Sequence, residues 1–155
     1  MKKTIQFMLN GERRTLDVEP WEILLDVLRE RLGVKSPKVG CERGECGTCT
    51  VLMDGLPVRS CLILAVEADG RDLVTVEGLN RNGLSDLQRS FVEHNSFQCG
   101  YCAPGIVLAA TELLRREPSP DRAAVQEALD GHLCRCTGYT PILDAVVAAG
   151  KPDEK

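Results

Sequence analysis

Ile5, Phe7 and Leu9 alternate with polar neighbours, and Leu16 and Val18 alternate again beyond Asn10-Gly11. Period-two alternation on both sides of an Asn-Gly pair predicts a β-hairpin, because the tightest hairpin turn needs positive φ at both central residues. Pro20 then predicts a helix start at a first-turn position, with Trp21, Leu24, Leu25, Leu28 and Leu32 on one face and Gly33 at the end. Trp21 reads as a core or subunit-contact residue. Residues 50–53 and 57–60 flank Asp54-Gly55, a second hairpin signal, and residues 73–76 read as a last strand after the Asp69-Gly70 turn. The period changes after the stretch Gly78-Leu79-Asn80-Arg81-Asn82-Gly83, which predicts a boundary between residues 1–78 and 79–155.

Beyond that boundary every signal is helical. Ser85 and Gln88 form a capping box, with Leu84, Leu87 and Phe91 or Val92 on the buried side. Residues 103–116 form an apolar helix with two arginines in its last turn, where the helix dipole favours cations. Ser119-Pro120 and Thr140-Pro141 each read as an N-cap followed by proline, starting helices near 120–130 and 140–150, with Gly131 closing the first. Residues 151–155 read as a charged, frayed tail. The pattern is α+β: a β-grasp ferredoxin-like domain followed by a four-helix bundle.

Between the first helix and the second hairpin the apolar pattern gives way to cysteines. Cys41, Cys46, Cys49 and Cys61 follow the C-x4-C-x2-C…C spacing by which plant-type ferredoxins hold a 2Fe-2S cluster. Gly40, Gly44 and Gly47 let the backbone close round a compact inorganic core and point N–H groups at its sulfurs. A second set of four, Cys99 and Cys102 with Cys134 and Cys136, precedes the two helix starts near 103 and 141. Two antiparallel helix pairs would bring those loops to one end of the bundle, where free N–H groups favour an anionic centre. On residue type and spacing alone this set fits a second iron–sulfur cluster, a four-thiolate zinc site or a dithiol of the Cys-x-x-Cys kind. The dithiol lacks the βαβ context such motifs use, and buried structural cysteines are the weakest alternative.

Composition narrows the setting. The chain has 155 residues, 43% apolar and 27% charged, which is ordinary for a soluble globular protein. A net charge of −4 gives no basic footprint for nucleic acid. No apolar stretch is long enough to span a membrane, and the first residues lack the h-region of an export signal. Eight cysteines without an export signal indicate a reducing, cytoplasmic compartment and metal or redox work. No catalytic triad, carboxylate pair or P-loop appears, Glu42 and Glu45 read as solvated rim charges, and His94 and His132 read as polar surface or loop residues.

Three motifs together change the picture: Gly40-Cys41…Gly44-Glu45-Cys46-Gly47-Thr48-Cys49-Thr50, Gln98-Cys99-Gly100-Tyr101-Cys102-Ala103-Pro104-Gly105, and Leu133-Cys134-Arg135-Cys136-Thr137-Gly138-Tyr139. In this order, over about residues 4–149, the chain resembles the small iron–sulfur subunit of the molybdenum hydroxylases, the family of xanthine dehydrogenase, aldehyde oxidoreductase and aerobic carbon monoxide dehydrogenase. The resemblance implies that both cysteine sets hold 2Fe-2S clusters. It implies a large molybdopterin-binding partner subunit, an FAD-binding subunit, and a dimer of heterotrimers. Electrons would pass from molybdenum to the helical-domain cluster, then to the ferredoxin-type cluster and to FAD. Gln98 and Cys136 match the positions that lie against the pterin in relatives. Ala103 stands where Thr is common and His132 where Asn is common, neither of them a ligand position. The function implied is electron transfer with no substrate chemistry on this chain. A free-standing two-cluster carrier and a zinc or dithiol module are the alternatives.

Two complete four-cysteine sets predict four irons and four acid-labile sulfides per chain, with two distinguishable EPR signals on reduction. Metal and sulfide analysis of the purified protein checks this, and two irons or substantial zinc would reject the second cluster.

Overall fold

A computed structural model of the protein describes residues 1–79 and 83–150. The expected boundary glycine–asparagine stretch falls partly, and the expected tail wholly, outside the described residues. The first half is a five-stranded mixed sheet. Strands β1 (Lys3–Leu9) and β2 (Glu12–Val18) pair antiparallel from Lys3↔Val18 to Leu9↔Glu12. Asn10 and Gly11 both have positive φ, 53° and 76°, so the turn has the backbone that its sequence requires. Strands β3 (Thr50–Met53) and β4 (Leu56–Arg59) form the second hairpin around Asp54 and Gly55, again both at positive φ. Strand β5 (Asp72–Val74) joins the hairpins, parallel to β1 and antiparallel to β3, giving the order β2-β1-β5-β3-β4.

One face of this sheet is covered by helix α1 (Leu24–Asp26), which continues as a π-helical turn over Val27–Arg31. Leu24, Val27 and Leu28 pack there on Ile5, Phe7, Leu9, Val18, Val51 and Leu73. The helix starts later than Pro20 predicts. Glu22 takes the backbone N–H of Glu19, closing a turn over Pro20 and Trp21, and Ile23 is held extended by a bridge to Leu64. A tertiary contact thus outweighs the first-turn preference of proline. Trp21 is 70% exposed, so it is no part of this chain's core.

The second half is helical. A short helix α2 (Val76–Leu79) takes over where residues 73–76 were expected to end as strand. Helices α3 (Asp86–Glu93), α4 (Ala103–Arg116), α5 (Arg122–Leu129) and α6 (Thr140–Gly150) form the bundle. The Ser85–Gln88 capping box is present, but the buried stripe is Leu87 and Phe91, while Leu84 and Val92 face outward. Helix α5 is capped by Asp121, whose carboxylate accepts the Ala124 N–H at 2.8 Å. Ser119, the expected cap, instead donates to the carbonyl of Gly150 and closes the far end of α6. Leu87, Phe91, Ile106, Ala110, Leu113, Val125, Leu129, Ile142 and Val146 make the core.

Helix α4 is the element that positions both sites. Its first residues follow Cys102, and its flank packs on β3 and β4 of the sheet half. The approach is close because Gly105 carries no side chain: a Cβ there would come within 2.3 Å of the Gly47 carbonyl oxygen. Gly47 itself has φ of 75°, and a Cβ on it would strike the His132 ring at 2.6 Å. Glycines in one cysteine loop and one helix therefore let the two halves meet backbone to backbone.

Candidate metal centres

The first cysteine set is built by the loop between the α1 helical segment and β3, with Cys61 in a single 3-10 turn, Ser60–Leu62, after β4. The β3–β4 pairing places Cys49 beside that turn, and Ser60 fixes the spacing by donating both N–H and Oγ–H to the Cys49 carbonyl, at 3.3 and 2.6 Å. Leu25 of α1 packs on Cys49 and Cys61 from beneath. The Cys41 sulfur accepts backbone N–H groups from Arg43 and Cys46 at 3.5 and 3.4 Å, and those bonds lower its pKa to about 7. Cys61 behaves oppositely: burial, and its hydrogen bond to Cys49, push it up to about 11. Gly40 allows the loop to close, since a Cβ there would lie 2.6 Å from the Cys46 sulfur.

The second set brings together the ends of α4 and α6 as the sequence leads one to expect. Cys102 stands at the N-cap of α4, while Cys134 and Cys136 lie in the loop before α6. The Cys136 and Cys99 sulfurs are 3.6 Å apart, and Cys102 donates a hydrogen bond to Cys134. Burial first, and that donation second, raise the Cys102 thiol to about 12. Although burial works against it, Cys134 is held below the usual thiol range, with Thr137 as its leading partner. Gln98 donates its amide N–H to the Cys136 carbonyl at 3.0 Å and so braces the Cys-Arg-Cys turn from within this chain. Tyr139 accepts the Cys134 N–H at 2.9 Å and donates to the His132 carbonyl, which holds its own backbone at φ of 70°. The exposed edge of this set is Cys99 and Cys136, and the buried edge is Cys102.

The donors fit a binuclear cluster. All eight cysteines are free thiols. Among the described residues, no three Cys, His, Asp or Glu side chains converge as they would on a single ion. The thiols stand instead in pairs: Cys41 with Cys46, Cys49 with Cys61, Cys99 with Cys136 and Cys102 with Cys134. Two pairs per set is the arrangement that two bridged irons, each taking two thiolates, call for.

What joins the two sets is not announced by any pattern along the chain. The Leu133 N–H, one residue from Cys134, donates to the Cys46 carbonyl at 2.9 Å. Beside it His132 is 4% exposed, far from the polar loop residue expected. Its Nε2 lies 3.2 Å from Thr50 Oγ1 and 3.3 Å from Arg59 Nη1, and Arg59 also donates to the Gly131 carbonyl at 3.1 Å. On the other flank, Tyr101 donates its phenol to the Val39 carbonyl at 2.7 Å. The only signals in the sequence were that Tyr101 falls inside a cysteine motif and that His132 immediately precedes another. His94, by contrast, is exposed at the end of α3, as expected.

A two-domain chain with one ferredoxin-like and one helical thiol set is a two-cluster iron–sulfur protein. Residues 7–79 match the 2Fe-2S iron-sulfur cluster binding domain family, and residues 75–147 match the [2Fe-2S] binding domain family. The nicotine 6-hydroxylase small subunit of Paenarthrobacter nicotinovorans is 51% identical over 94% of this chain and 88% of that protein. The crystal structure of quinoline 2-oxidoreductase from Pseudomonas putida 86 superposes with a TM-score of 0.93 at 46% identity, covering 96% of this chain and 94% of that one. Aldehyde oxidoreductase from Desulfovibrio desulfuricans matches with a TM-score of 0.92 at 40% identity, but there the match spans 17% of a much longer chain. The chain belongs to the family of small iron–sulfur subunits of the molybdenum hydroxylases. It is an electron-transfer subunit of an oxidoreductase complex.

His132 makes the junction pH-sensitive. Burial, aided by the Arg59 guanidinium, lowers its pKa to about 4 from the usual 6.5. A protonated ring would carry an N–H at both nitrogens, with Nε2 against the Arg59 guanidinium and Nδ1 buried without a partner among the described residues. The unfolded chain therefore binds a proton between pH 6.5 and 4 that the folded chain refuses, so stability is full above that window and falls through it. The loss should be on the order of 3 kcal/mol. In His132→Asn, unfolding midpoints measured across this range should show a flatter decline. An unchanged slope would contradict a neutral, buried His132.

Proposed function

We propose that Cys41, Cys46, Cys49 and Cys61 hold one 2Fe-2S cluster within residues 1–78, and that Cys99, Cys102, Cys134 and Cys136 hold the other within residues 79–155. The observation that carries this is the arrangement of each four thiols as two pairs. A bound 2Fe-2S cluster supplies storage of one electron at a time, and the chain supplies its position and electrostatic surroundings.

In this reading electrons enter at the helical set and leave from the ferredoxin set. The exposed edge formed by Gln98, Cys99 and Cys136 faces a large subunit carrying the molybdopterin cofactor, with Gln98 and Cys136 against the pterin. Gln98 has a second task, since its amide braces Cys136 from inside the chain. The Leu133–Cys46 hydrogen bond is the shortest covalent and hydrogen-bonded connection described between the two sets. An FAD-carrying subunit takes the electrons, and the complex is a dimer of heterotrimers in the cytoplasm. Eight thiols free of disulfides suit that compartment. Support for a fixed subunit over a free carrier comes from the relatives, which are named as small subunits or continue into longer chains.

Replacing Cys46 by Ala in the complete complex should leave the helical-domain cluster reducible by substrate while electrons stall before the flavin. Gln98→Ala should slow transfer without abolishing it, since a net hydrogen bond is worth roughly 0.5–1.5 kcal/mol. Rapid-freeze EPR after substrate addition reads the order. An oxidised helical-domain cluster in the Cys46 variant, or flavin reduced at the normal rate, would overturn it.

A further inference from the structure

Lys38 belongs to the sheet half and is stitched into the first cysteine loop through its backbone. Its N–H donates to the Thr48 carbonyl at 3.0 Å, and its own carbonyl accepts the Thr48 hydroxyl at 3.1 Å. Its side chain crosses to the other half. The ammonium lies 5.5 Å from the centre of the Tyr101 ring, within the reach of a cation–π contact. Tyr101 stands between Cys99 and Cys102 in the chain, and its phenol is tied to the Val39 carbonyl. The ring is therefore held under the ammonium by the residue next to Lys38 itself.

The ammonium also donates to the Ser36 carbonyl at 3.3 Å, so it is held between that carbonyl and the Tyr101 ring. Burial pulls its pKa below the usual lysine range and nearby Arg29 adds to this, while Glu77 and Cys102 pull it back. Arg29 is occupied by the carbonyls of Lys35 and Pro37, and the Glu77 carboxylate by Ser36 and Thr75. Cys102, the neighbour of Tyr101 and a buried member of the helical set, would face Lys38 with a negative charge once held as a thiolate.

We infer that Lys38, although carried by the ferredoxin domain, raises the reduction potential of the cluster held by the helical domain. Reduction adds one negative charge to that cluster, and a fixed cation across a low-polarity ring stabilises the more negative state. The first acceptor in the chain of transfer is thus tuned by a residue of the second, and it reaches its working potential only when the two halves are docked. This rests on the assignment of Cys99, Cys102, Cys134 and Cys136 as ligands.

The test is a redox titration of the intact complex followed by EPR, with iron analysis of each preparation. In Lys38→Met the reduced-to-oxidised ratio of the helical-domain cluster at a fixed potential should fall about tenfold, which for a one-electron couple is about 59 mV. Lys38→Arg keeps the charge and should stay within about threefold of the parent. The ferredoxin-type cluster should move less than the helical one in Lys38→Met. Tyr101→Leu, which removes the platform and leaves every charge in place, should shift the helical cluster in the same direction by a smaller factor, and decides the matter if Lys38→Met fails to retain iron. An unshifted helical cluster with full iron content, or a larger shift at the ferredoxin-type cluster, would overturn the inference. Parent protein holding only two irons would instead overturn the ligand assignment beneath it.

Discussion

A single backbone hydrogen bond, from the Leu133 N–H to the Cys46 carbonyl, is the contact on which the working of this molecule turns. It links the residue beside Cys134 in one thiol set directly to a cysteine of the other. Everything around it keeps it short. Gly47 and Gly105 remove the side chains that would hold the halves apart, and His132 fills the remaining space as a neutral ring. Arg59 reaches from β4 to Gly131, and Tyr101 closes the opposite flank on Val39. Two domains that each have their own apolar core are thereby fastened at the cysteine loops.

The fastening has electrostatic consequences. Within each set the thiols differ widely: Cys41 is lowered to about 7 by backbone N–H groups while burial first raises Cys61 to about 11, and Cys134 is held low while burial first raises Cys102 to about 12. In the proposed ligand assignment metal binding takes the thiolates, so the buried members are the costliest to deprotonate, and folding would be coupled to the iron that offsets this cost. The same N–H groups that favour the Cys41 thiolate would favour a reduced cluster. The surroundings of each centre are thus shared across the boundary, with Lys38 and Tyr101 as one instance and Thr50 with His132 as another.

What the sequence made legible was local chemistry. Asn10-Gly11 and Asp54-Gly55 named their turns because few residues tolerate positive φ, and Ser85 with Gln88 named a helix start because both donors and acceptors lie within one turn. Both thiol sets were readable from spacing and neighbouring motifs. What escaped was decided by the surface that one half presents to the other. Pro20 would open a helix in isolation, but the Ile23–Leu64 bridge delays it to Leu24. Ser119 would cap α5, but Gly150 claims its hydroxyl. His132 looks like a loop histidine until Gly47 and Arg59 are packed against it, and no periodicity encodes that meeting.

A junction fastened in this way lets the two loops part only when the whole molecule opens. Native-state hydrogen exchange of the cluster-loaded protein tests it at one amide. The Leu133 N–H should exchange as slowly as the core amides of Val51 and Leu108, through global unfolding alone. Fast exchange at Leu133 while both cores remain protected would show that the domains hinge apart in the native state and that the junction is not fastened.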